Sequence, residues 1–317
     1  MFVTATWKRE AADVMPISRC DPGDKKNYFV QNMRPGLTYY EIVFTPINGE
    51  RKRKFIDAGD PKPLGAVMYF KLENEPKEIS LAILDKNGNE IRNYSKDHMS
   101  LNYGANDGFN TGLNKFVWDM RINRVTSVPK RPATAIAPIV APGKFTAKLT
   151  VDGVVETQDF EIFMNPKEPY TLKQADDKFA FWMDMYNSAE GATQKVIAAL
   201  KLKEDVASKL EAFKKSGASA GNIKKAEQQL EVLSNMVTAY EGAYVSTGRT
   251  MAEVINLPAT LLFKLSFMSG ILDHSEGPVT QSMKTEFQLV VEAAKAADEK
   301  FNSEIKKELG KLDKILK

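Results

Sequence analysis

The hydrophobic residues divide the chain into two regions with different periods. Between residues 61 and 165, apolar side chains alternate with polar ones over short runs, and turn-forming residues separate the runs, which is typical of β-strands. Asn87-Gly88 separates one pair of runs and Asp152-Gly153 another, so each pair is predicted to form a β-hairpin. The strand-like runs are residues 65–72, 79–85, 91–95, 115–120, 144–151 and 154–163. Five to seven strands over about 100 residues predict an immunoglobulin-like antiparallel β-sandwich.

From residue 170 onward the apolar positions recur every three or four residues, which predicts helices. Thr171 and Gln174 have the spacing of a capping box, so a long helix is predicted to begin there. Residues 216–221 (SGASAG) predict a turn. The helix that follows, over 223–244, is predicted to fold back on the first as a coiled-coil-like hairpin.

Two further helices are predicted in the C-terminal region. Residues 259–272 are apolar on nearly all sides, so a short helix there is predicted to be buried among the others. The last helix is predicted to begin between Pro278 and Thr280 and to run to the C-terminus, with an apolar stripe along one side. Residues 170–317 are thus predicted to form an antiparallel helical bundle.

Residues 1–60 are predicted to form an irregular N-terminal segment with one hairpin. Its strands would be residues 28–33 and 38–44, joined through Arg34-Pro35-Gly36. Residues 49–63 are basic and then proline-rich, without interleaved aromatic residues, which favours an exposed connector over a nucleic-acid surface. The predicted fold class is therefore a multidomain β + α chain: the N-terminal segment, an immunoglobulin-like β-sandwich over 61–165 and a helical bundle over 170–317.

Charge and composition narrow the classes of partner. The 44 Lys and Arg against 41 Asp and Glu leave a net charge of +3, so there is no general electrostatic case for nucleic acid or an anionic membrane. The single cysteine, Cys20, excludes an intramolecular disulfide and a cysteine-based zinc site. No apolar run is long enough to cross a bilayer, and the first residues lack the pattern of a secretory signal. We predict no membrane insertion and no cofactor.

One polar loop could bind a cation. Residues 102–110 hold the candidate oxygen ligands Asn102, Asn106, Asp107 and Asn110. Only one of these side chains is charged, whereas a hard cation usually gathers several carboxylates. A Gly- and Asn-rich loop between strands is therefore the favoured interpretation, and no metal site is predicted.

Asp119 is the best candidate for a catalytic acid. It lies at the end of a strand between Trp118 and Met120, and alternation places it on the opposite face from these two apolar side chains. A core tryptophan beside a turn-bracing carboxylate or an outward ion pair is the favoured interpretation. A paired-carboxylate glycosidase site would need Asp119 to converge with other acids. The acids available for such a pair are Asp85, Asp107, Asp119, Glu156 and Glu161.

Other catalytic patterns are missing from the chain. It contains no GxSxG, GxGxxG or Walker sequence. Arg121, Arg124 and Arg131 could bind a sialic-acid carboxylate, but they run into a proline-rich loop in which flexibility is expected. Phe179, Phe181, Trp182 and Tyr186 have helical spacing, which favours core packing over a sugar-stacking platform, with Phe181 pointing outward.

Several segments, in this order, resemble one known family. They are residues 65–72 (GAVMYFKL), 79–95 (ISLAILDKNGNEIRNYS), 112–121 (GLNKFVWDMR), 135–166 and 257–313. Together they are similar to the region that follows the β-propeller in bacterial sortilin-like proteins, which are often labelled glycosyl hydrolases with BNR repeats. The resemblance covers about residues 57–317, whereas the Asp-box sequence of the propeller repeats (SxDxGxxW) is absent here.

The resemblance implies a function that composition does not. It implies a non-catalytic binding or scaffolding module that packs on a β-propeller chain or domain, in an extracytoplasmic location. The alternatives are an accessory part of a glycoside hydrolase whose site lies on absent repeats, and a device for homo- or hetero-oligomerisation through the helices. No catalytic set is predicted, with Asp119 the candidate if the chain is enzymatic.

Overall fold

A computed structural model describes residues 65–95, 111–131, 136–164, 171–246, 258–275 and 277–316, and the backbone of three strands before residue 56. The described strands are β1 Asn27–Phe29, β2 Tyr40–Phe44, β3 Arg51–Phe55, β4 Ala66–Leu72, β5 Ile79–Leu84, β6 Glu90–Ser95, β7 Gly112–Trp118, β8 Gly143–Val151 and β9 Val154–Met164. The described helices are α1 Leu172–Lys215, α2 Ala220–Tyr244, α3 Leu261–His274 and α4 Gln281–Ile315. The protein is a mixed β and α chain.

Sequence signals that act over a few residues agree with the structure. The two predicted hairpins are formed by β5 with β6 and by β8 with β9. Asp152 and Gly153 both have positive φ, 48° and 84°, as a type I′ turn requires. The capping box is also confirmed, since the amide of Thr171 donates to Gln174 Oε1 at 2.8 Å and the amide of Gln174 to Thr171 Oγ1 at 3.3 Å.

The strands form one larger and two smaller sheets. The larger sheet has the order β1-β9-β8-β5-β6, in which β1 runs parallel to β9 and the other neighbours are antiparallel. Strand β4 pairs with β7 and β2 with β3, both antiparallel.

The predicted N-terminal hairpin between residues 28–33 and 38–44 is wrong. Strand β2 pairs instead with β3, from Tyr40 opposite Phe55 to Phe44 opposite Arg51, and β1 lies beside β9. Residues 51–55, predicted to belong to a connector, therefore form a strand. The six residues between β2 and β3 contain Pro46 and Asn48-Gly49, which are turn formers as good as the predicted Pro35-Gly36.

The chain divides into two compact units. The β unit holds the described residues up to Asn123, together with Ile139–Phe179 and Asp273–Pro278. The α unit holds Arg124–Pro138, Ala180–Leu272 and Val279–Lys317. The predicted linker at 165–169 lies outside the described residues, and the predicted domain boundaries stay a prediction.

The β unit has a core to which two sheets contribute. Trp118 of β7 is fully buried, and its ring meets the edges of Phe145 and Phe160 in the larger sheet, with centroids 5.5 and 6.0 Å apart. Phe70, Leu81, Leu149 and Ile162 are also buried. The prediction that Trp118 packs in the core is confirmed, because inward-facing side chains of β7, β8 and β9 enclose it.

The α unit buries one continuous apolar cluster. In α1 the most enclosed positions include small residues, Ala189, Ala192 and Ala199, where helices can approach closely. Phe181, predicted to point outward, is half-buried and packs edge-on against Phe287 of α4, with centroids 5.4 Å apart. The cluster draws its other members from α2, α3, α4 and the loop after β7.

The predicted burial of the short helix is only half right. In α3, Leu262, Leu265, Met268 and Leu272 are buried, but the opposite side of the helix is exposed. Neighbouring elements cover one side of α3 only, and a helix that is apolar all round gives no sequence signal of which side that is.

Candidate functional site

Asp119 braces the turn that ends β7. Its Oδ1 accepts a hydrogen bond from the backbone amide of Arg121 at 3.2 Å, while Trp118 Nε1 donates to the Arg121 carbonyl at 2.9 Å. Met120, between them, has a φ of 58°, which is uncommon outside glycine. The half-exposed carboxylate thus helps to hold a strained turn, the role that the sequence favoured for it.

The three arginines after β7 are engaged separately. Arg121 Nη2 lies 2.6 Å from Asp273 Oδ1 within the β unit, and Arg131 Nε lies 2.6 Å from Glu241 Oε1 within the α unit. Glu241 raises the pKa of Arg131, mainly through this hydrogen bond. Arg124 is exposed. Two of the three guanidinium groups are therefore occupied by carboxylates of different units.

The described parts of the loop after β7 are anchored, and the expectation of flexibility is wrong for them. Val125, Val128 and Ile136 are buried in the core of the α unit. Thr126 donates to Glu190 from its backbone amide at 2.7 Å and from its hydroxyl at 2.8 Å. Burial acts to raise the pKa of Glu190, but hydrogen bonds from Gln194 and Thr126 outweigh it and lower the pKa. Ionised Glu190 thus fixes the loop.

The candidate cation ligands Asn106, Asp107 and Asn110 lie outside the described residues. Within the ranges that the structure describes, no three His, Cys, Asp or Glu side chains are grouped so as to hold a metal ion.

A groove of about 850 Å³ opens in the β unit between the start of β4 and the strands β8 and β9. Met68, Phe145 and Phe160 contribute apolar lining, and Asp85 and Glu161 contribute carboxylates. The two phenyl rings are stacked, with centroids 5.8 Å apart. Asp119 and Glu156 do not line the groove.

Asp85 in this groove is unsuited to donating a proton. Its Oδ1 accepts hydrogen bonds from the backbone amides of Asn87 at 2.8 Å and Asn89 at 2.9 Å. Burial acts to raise the pKa of Asp85, but the hydrogen bonds from Asn89 and Asn87 prevail and lower it. A general acid needs a raised pKa, so Asp85 acts as a turn-forming carboxylate.

The exposed side of α3 is the clearest apolar surface in the α unit. Phe263, Phe267 and Ile271 recur every four residues, so they share one face of the helix, and their exposed fractions are 49%, 63% and 43%. Ser266 and Gly270 lie between them on the same face. Large exposed apolar side chains in a row, rather than scattered singly, are typical of an interaction site. We call these three residues the α3 stripe.

A polar network joins three helices inside the α unit. Asp298 Oδ1 of α4 accepts hydrogen bonds from the hydroxyls of Tyr240 and Tyr244 of α2, and Asp298 Oδ2 pairs with Lys195 Nζ of α1. Burial, the first cause, and the hydrogen bonds to Asp298 raise the pKa of both tyrosines well above the usual range. Burial acts to raise the pKa of Asp298, but the hydrogen bonds from Lys195, Tyr240 and Tyr244 outweigh it and lower the pKa.

Lys178 is a buried cation of the β unit. Its Nζ donates to the backbone carbonyl of Ser275 at 2.7 Å. Burial lowers the pKa of Lys178 to about 8, and the nearby carboxylate of Asp273 opposes this shift. Asp273 itself pairs with Arg121, so this corner of the β unit encloses two cations and one carboxylate.

Comparison with known proteins leaves the family open. No family model matches the chain, and no curated protein matches it. Among solved structures, CopC from Methylosinus trichosporium OB3b is 19% identical over 33% of this chain and 80% of that one, with a TM-score of 0.19. A likeness at that score carries no argument about fold or function. None of the helices in the described ranges is both long and apolar enough to cross a membrane.

Two of these features were not predicted from the sequence. The α3 stripe was hidden because both sides of the helix are apolar, although exposed phenylalanines beside Ser266 and Gly270 are a signal for a packing face. For the network around Asp298, the sequence shows only that Tyr240 and Tyr244 continue the three- and four-residue spacing of apolar positions in the helix over 223–244. Buried tyrosines usually find a hydrogen-bond partner, and that rule would have prompted a search for an acid on a facing helix.

Proposed function

We propose that this protein is a non-catalytic binding module that docks on a protein partner through the α3 stripe. The observation that carries the proposal is the exposure of Phe263, Phe267 and Ile271 on a helix whose other side is buried in the core. Exposed apolar side chains aligned on a rigid helix bind a partner with little loss of conformational entropy, because α3 is already formed and held.

The size of the α3 stripe indicates how much it would contribute to the free energy of binding. Complete burial of a Phe or Ile side chain is worth about 1.5–3 kcal/mol, and these three are already partly covered, so each would add about 1 kcal/mol. Three such contributions make a central anchor and not a complete interface, which usually buries about 800 Å² on each side. Surrounding polar residues must supply the rest.

The partner that we propose is a β-propeller, as in the sortilin-like proteins that the segments of this chain resemble. In this proposal the β unit is an immunoglobulin-like sandwich, supported by the contacts of Trp118 with Phe145 and Phe160 across two sheets. The α unit is an antiparallel helical bundle, supported by the apolar cluster that α1 to α4 share. An extracytoplasmic location belongs to the same proposal.

Site-specific photo-crosslinking tests the partner. A benzophenone amino acid at position 267 of the full chain, expressed in its native cell, should yield a crosslinked product containing a β-propeller protein. The same probe in place of Lys306, exposed on α4, serves as the control and should give none. Products containing only this chain would show the oligomerisation alternative, and no product at position 267 would overturn the proposal.

Once crosslinking has identified the partner, its affinity for this protein without crosslinking tests the role of the α3 stripe. The double change F263S/F267S should weaken binding at least tenfold while leaving the melting temperature near that of the wild type, because both side chains are substantially exposed. Unchanged affinity would show that the stripe is not the docking surface.

The alternative function is that of an accessory part of a glycoside hydrolase. It is tested by asking whether Asp119 acts as a catalytic acid. We expect the isolated chain not to hydrolyse aryl glycosides or sialosides above background, because the described partner of the Asp119 carboxylate is a turn amide. Activity that survives purification and falls about a hundredfold or more in Asp119→Asn, as losing a general acid would produce, would make Asp119 catalytic.

A further inference from the structure

The last turn of α3 follows a weak point in the helix. Gly270 lies inside α3, directly before the turn formed by residues 271–274. Glycine in a helix interior is destabilising relative to alanine, because it loses more backbone freedom on folding. A β-carbon at Gly270 would meet nothing within 4 Å, so close packing does not require the glycine. The helix itself therefore holds its last turn less firmly than the turns before it.

Asp273 adds to this weakness. It lies in the last turn, where the helix dipole has its negative end, so its carboxylate is in an unfavourable position. The last carbonyl groups of a helix also have no partner within the helix. The last turn of α3 is thus stabilised by a positive charge beside Asp273 and by a donor for its terminal carbonyls.

Two cations of the protein supply both. Arg121 Nη2 lies 2.6 Å from Asp273 Oδ1, and both side chains are mostly buried, so water screens this pair less than an exposed one. Lys178 Nζ donates to the carbonyl of Ser275, the residue directly after α3, at 2.7 Å. All four residues belong to the β unit. We call these two contacts the α3 clamp.

The turn that the α3 clamp holds carries one residue of the α3 stripe. Ile271 lies two residues before Asp273, and its side chain is substantially exposed. The earlier part of the helix has a separate anchor, the hydrogen bond that Trp182 Nε1 donates to the buried Ser269 Oγ at 2.7 Å. The position of Ile271 therefore depends on the clamp more than the positions of the two phenylalanines do.

We propose that Arg121 and Lys178 are positioning residues that hold Ile271 in line with the rest of the α3 stripe. Neither side chain has to touch the partner in this role. Without the clamp, the last turn is expected to open locally, as helix ends with few supporting contacts do. A partner would then have to order the turn again, which lowers its affinity. The effect on affinity rests on the proposed function, whereas the effect on α3 itself does not.

Hydrogen exchange of the full chain tests the clamp without any partner. In Arg121→Gln, the amides of residues 271–274 should exchange about tenfold faster than in the wild type, while those of residues 265–268 stay within about twofold. Lys264→Gln is the matched control, because it removes an exposed ion pair of the same helix, with Glu286 at 3.4 Å, and should leave the last turn unchanged.

The exchange pattern distinguishes positioning from a general contribution to stability. A role in stability alone would accelerate exchange in β8 and β9 as much as in the last turn of α3 when Arg121 is replaced. Such a uniform acceleration, or an unchanged rate in the last turn, would overturn the proposal.

Lys178→Met tests the second contact of the clamp. Methionine has no donor, so the carbonyl of Ser275 loses this hydrogen bond. The amides of residues 271–274 should again exchange faster, by about threefold. An unchanged rate would show that Lys178 is not a positioning residue.

Two double variants show whether the effect acts through the last turn. R121Q/D273N should accelerate exchange no more than Arg121→Gln alone, because the two side chains act as a pair. R121Q/G270A should exchange more slowly than Arg121→Gln, by about threefold, because alanine strengthens the helix at its weak point without a clash. Additive effects in the first variant, or no slowing in the second, would contradict the clamp.

Affinity for the partner identified by crosslinking connects the clamp to binding. Arg121→Gln should weaken binding about as much as Ile271→Ser, by about fivefold, since both disturb the contact of one partly exposed apolar side chain. Arg121→Lys keeps the charge and should recover part of the affinity. Faster exchange in the last turn with unchanged affinity would overturn the positioning role. Failure to crosslink a partner at position 267 would instead refute the proposed function, and hydrogen exchange would then decide the clamp by itself.

Discussion

Gly65 lies directly against the backbone of Trp118. A β-carbon at Gly65 would be 2.0 Å from the Trp118 carbonyl oxygen and 2.7 Å from its carbonyl carbon. Gly65 also has a φ of +140°, a conformation that other residues rarely adopt. Position 65, directly before β4, is therefore restricted to glycine. The atoms that a β-carbon would meet belong to the backbone of Trp118, which cannot move aside as a side chain could.

Gly65→Ala is therefore expected to be strongly destabilising. The added methyl must push β4 away from the end of β7, so we expect a loss of about 3 kcal/mol or more in the free energy of unfolding. Gly143→Ala is the matched control, because its β-carbon would meet nothing within 4 Å, and it should change stability by less than about 0.5 kcal/mol. Urea unfolding followed by circular dichroism measures both, and similar midpoints would contradict this account.

Trp118→Ala should also destabilise the β unit. Its ring is fully buried between two sheets, and its removal leaves a cavity and deletes the hydrogen bond that Nε1 donates to the Arg121 carbonyl. Large-to-small core changes of this kind cost about 3–5 kcal/mol. Leu113→Ala on the same strand, at a side chain 72% exposed, should have little effect. A thermal midpoint unchanged by Trp118→Ala would remove Trp118 from the core.

Local signals explain which parts of the fold could be predicted. The capping box of Thr171 and Gln174 and the Asp152-Gly153 turn act within a few residues, so their hydrogen bonds and φ angles are encoded where they occur. The pairing of β1 with β9 joins segments more than a hundred residues apart and has no local signature. The same holds for the partners of Arg131 and Asp298, which lie on helices distant in sequence.

Lys178 should make stability increase with pH. Its pKa of about 8 in the folded protein lies below the value of about 10.4 expected when unfolded. Between these values the unfolded chain binds more protons than the folded one, so raising the pH from 8 towards 10 favours folding. Below pH 8 the lysine is charged in both states and the penalty of its burial is fully present.

Lys178→Met tests this slope. Urea unfolding between pH 7.5 and 9.5 should show wild-type stability rising with pH more steeply than that of Lys178→Met, because methionine has no charge to lose. Lys173→Met, at an exposed position of the same helix, should keep the wild-type slope. Identical slopes in all three proteins would place Lys178 in contact with water.

Asp298 should make the α unit sensitive to acid. Its pKa is lowered in the folded protein, so its stabilising contribution is present above the unfolded value of about 3.9 and is lost as the pH falls through the folded value. Helical circular dichroism between pH 5 and 2 should show a smaller loss of stability in Asp298→Asn than in the wild type. A loss as large in the variant would assign the acid sensitivity to other carboxylates.

Tyr240 and Tyr244 should respond in the opposite direction. Their pKa values are raised, so the stability that they contribute is present below the unfolded value of about 10 and falls as the pH rises beyond it. Absorbance at 295 nm should show at least two fewer tyrosines ionising near pH 10 in the folded wild type than in urea, since the pKa of Tyr186 is also raised, mainly by burial. Ionisation of both with the exposed tyrosines would contradict their burial.

The division into two units has a consequence for how this gene can be cut or recombined. The chain passes from one unit to the other after Asn123, Pro138, Phe179, Leu272 and Pro278. A fragment that starts near residue 170 would carry all four described helices but would lack Val125, Val128 and Ile136, which belong to the helical core. Neither unit is one continuous stretch of sequence. Recombination with another gene at a single breakpoint would therefore transfer only part of the hydrophobic core of a unit. We expect the two units to be inherited together for this reason.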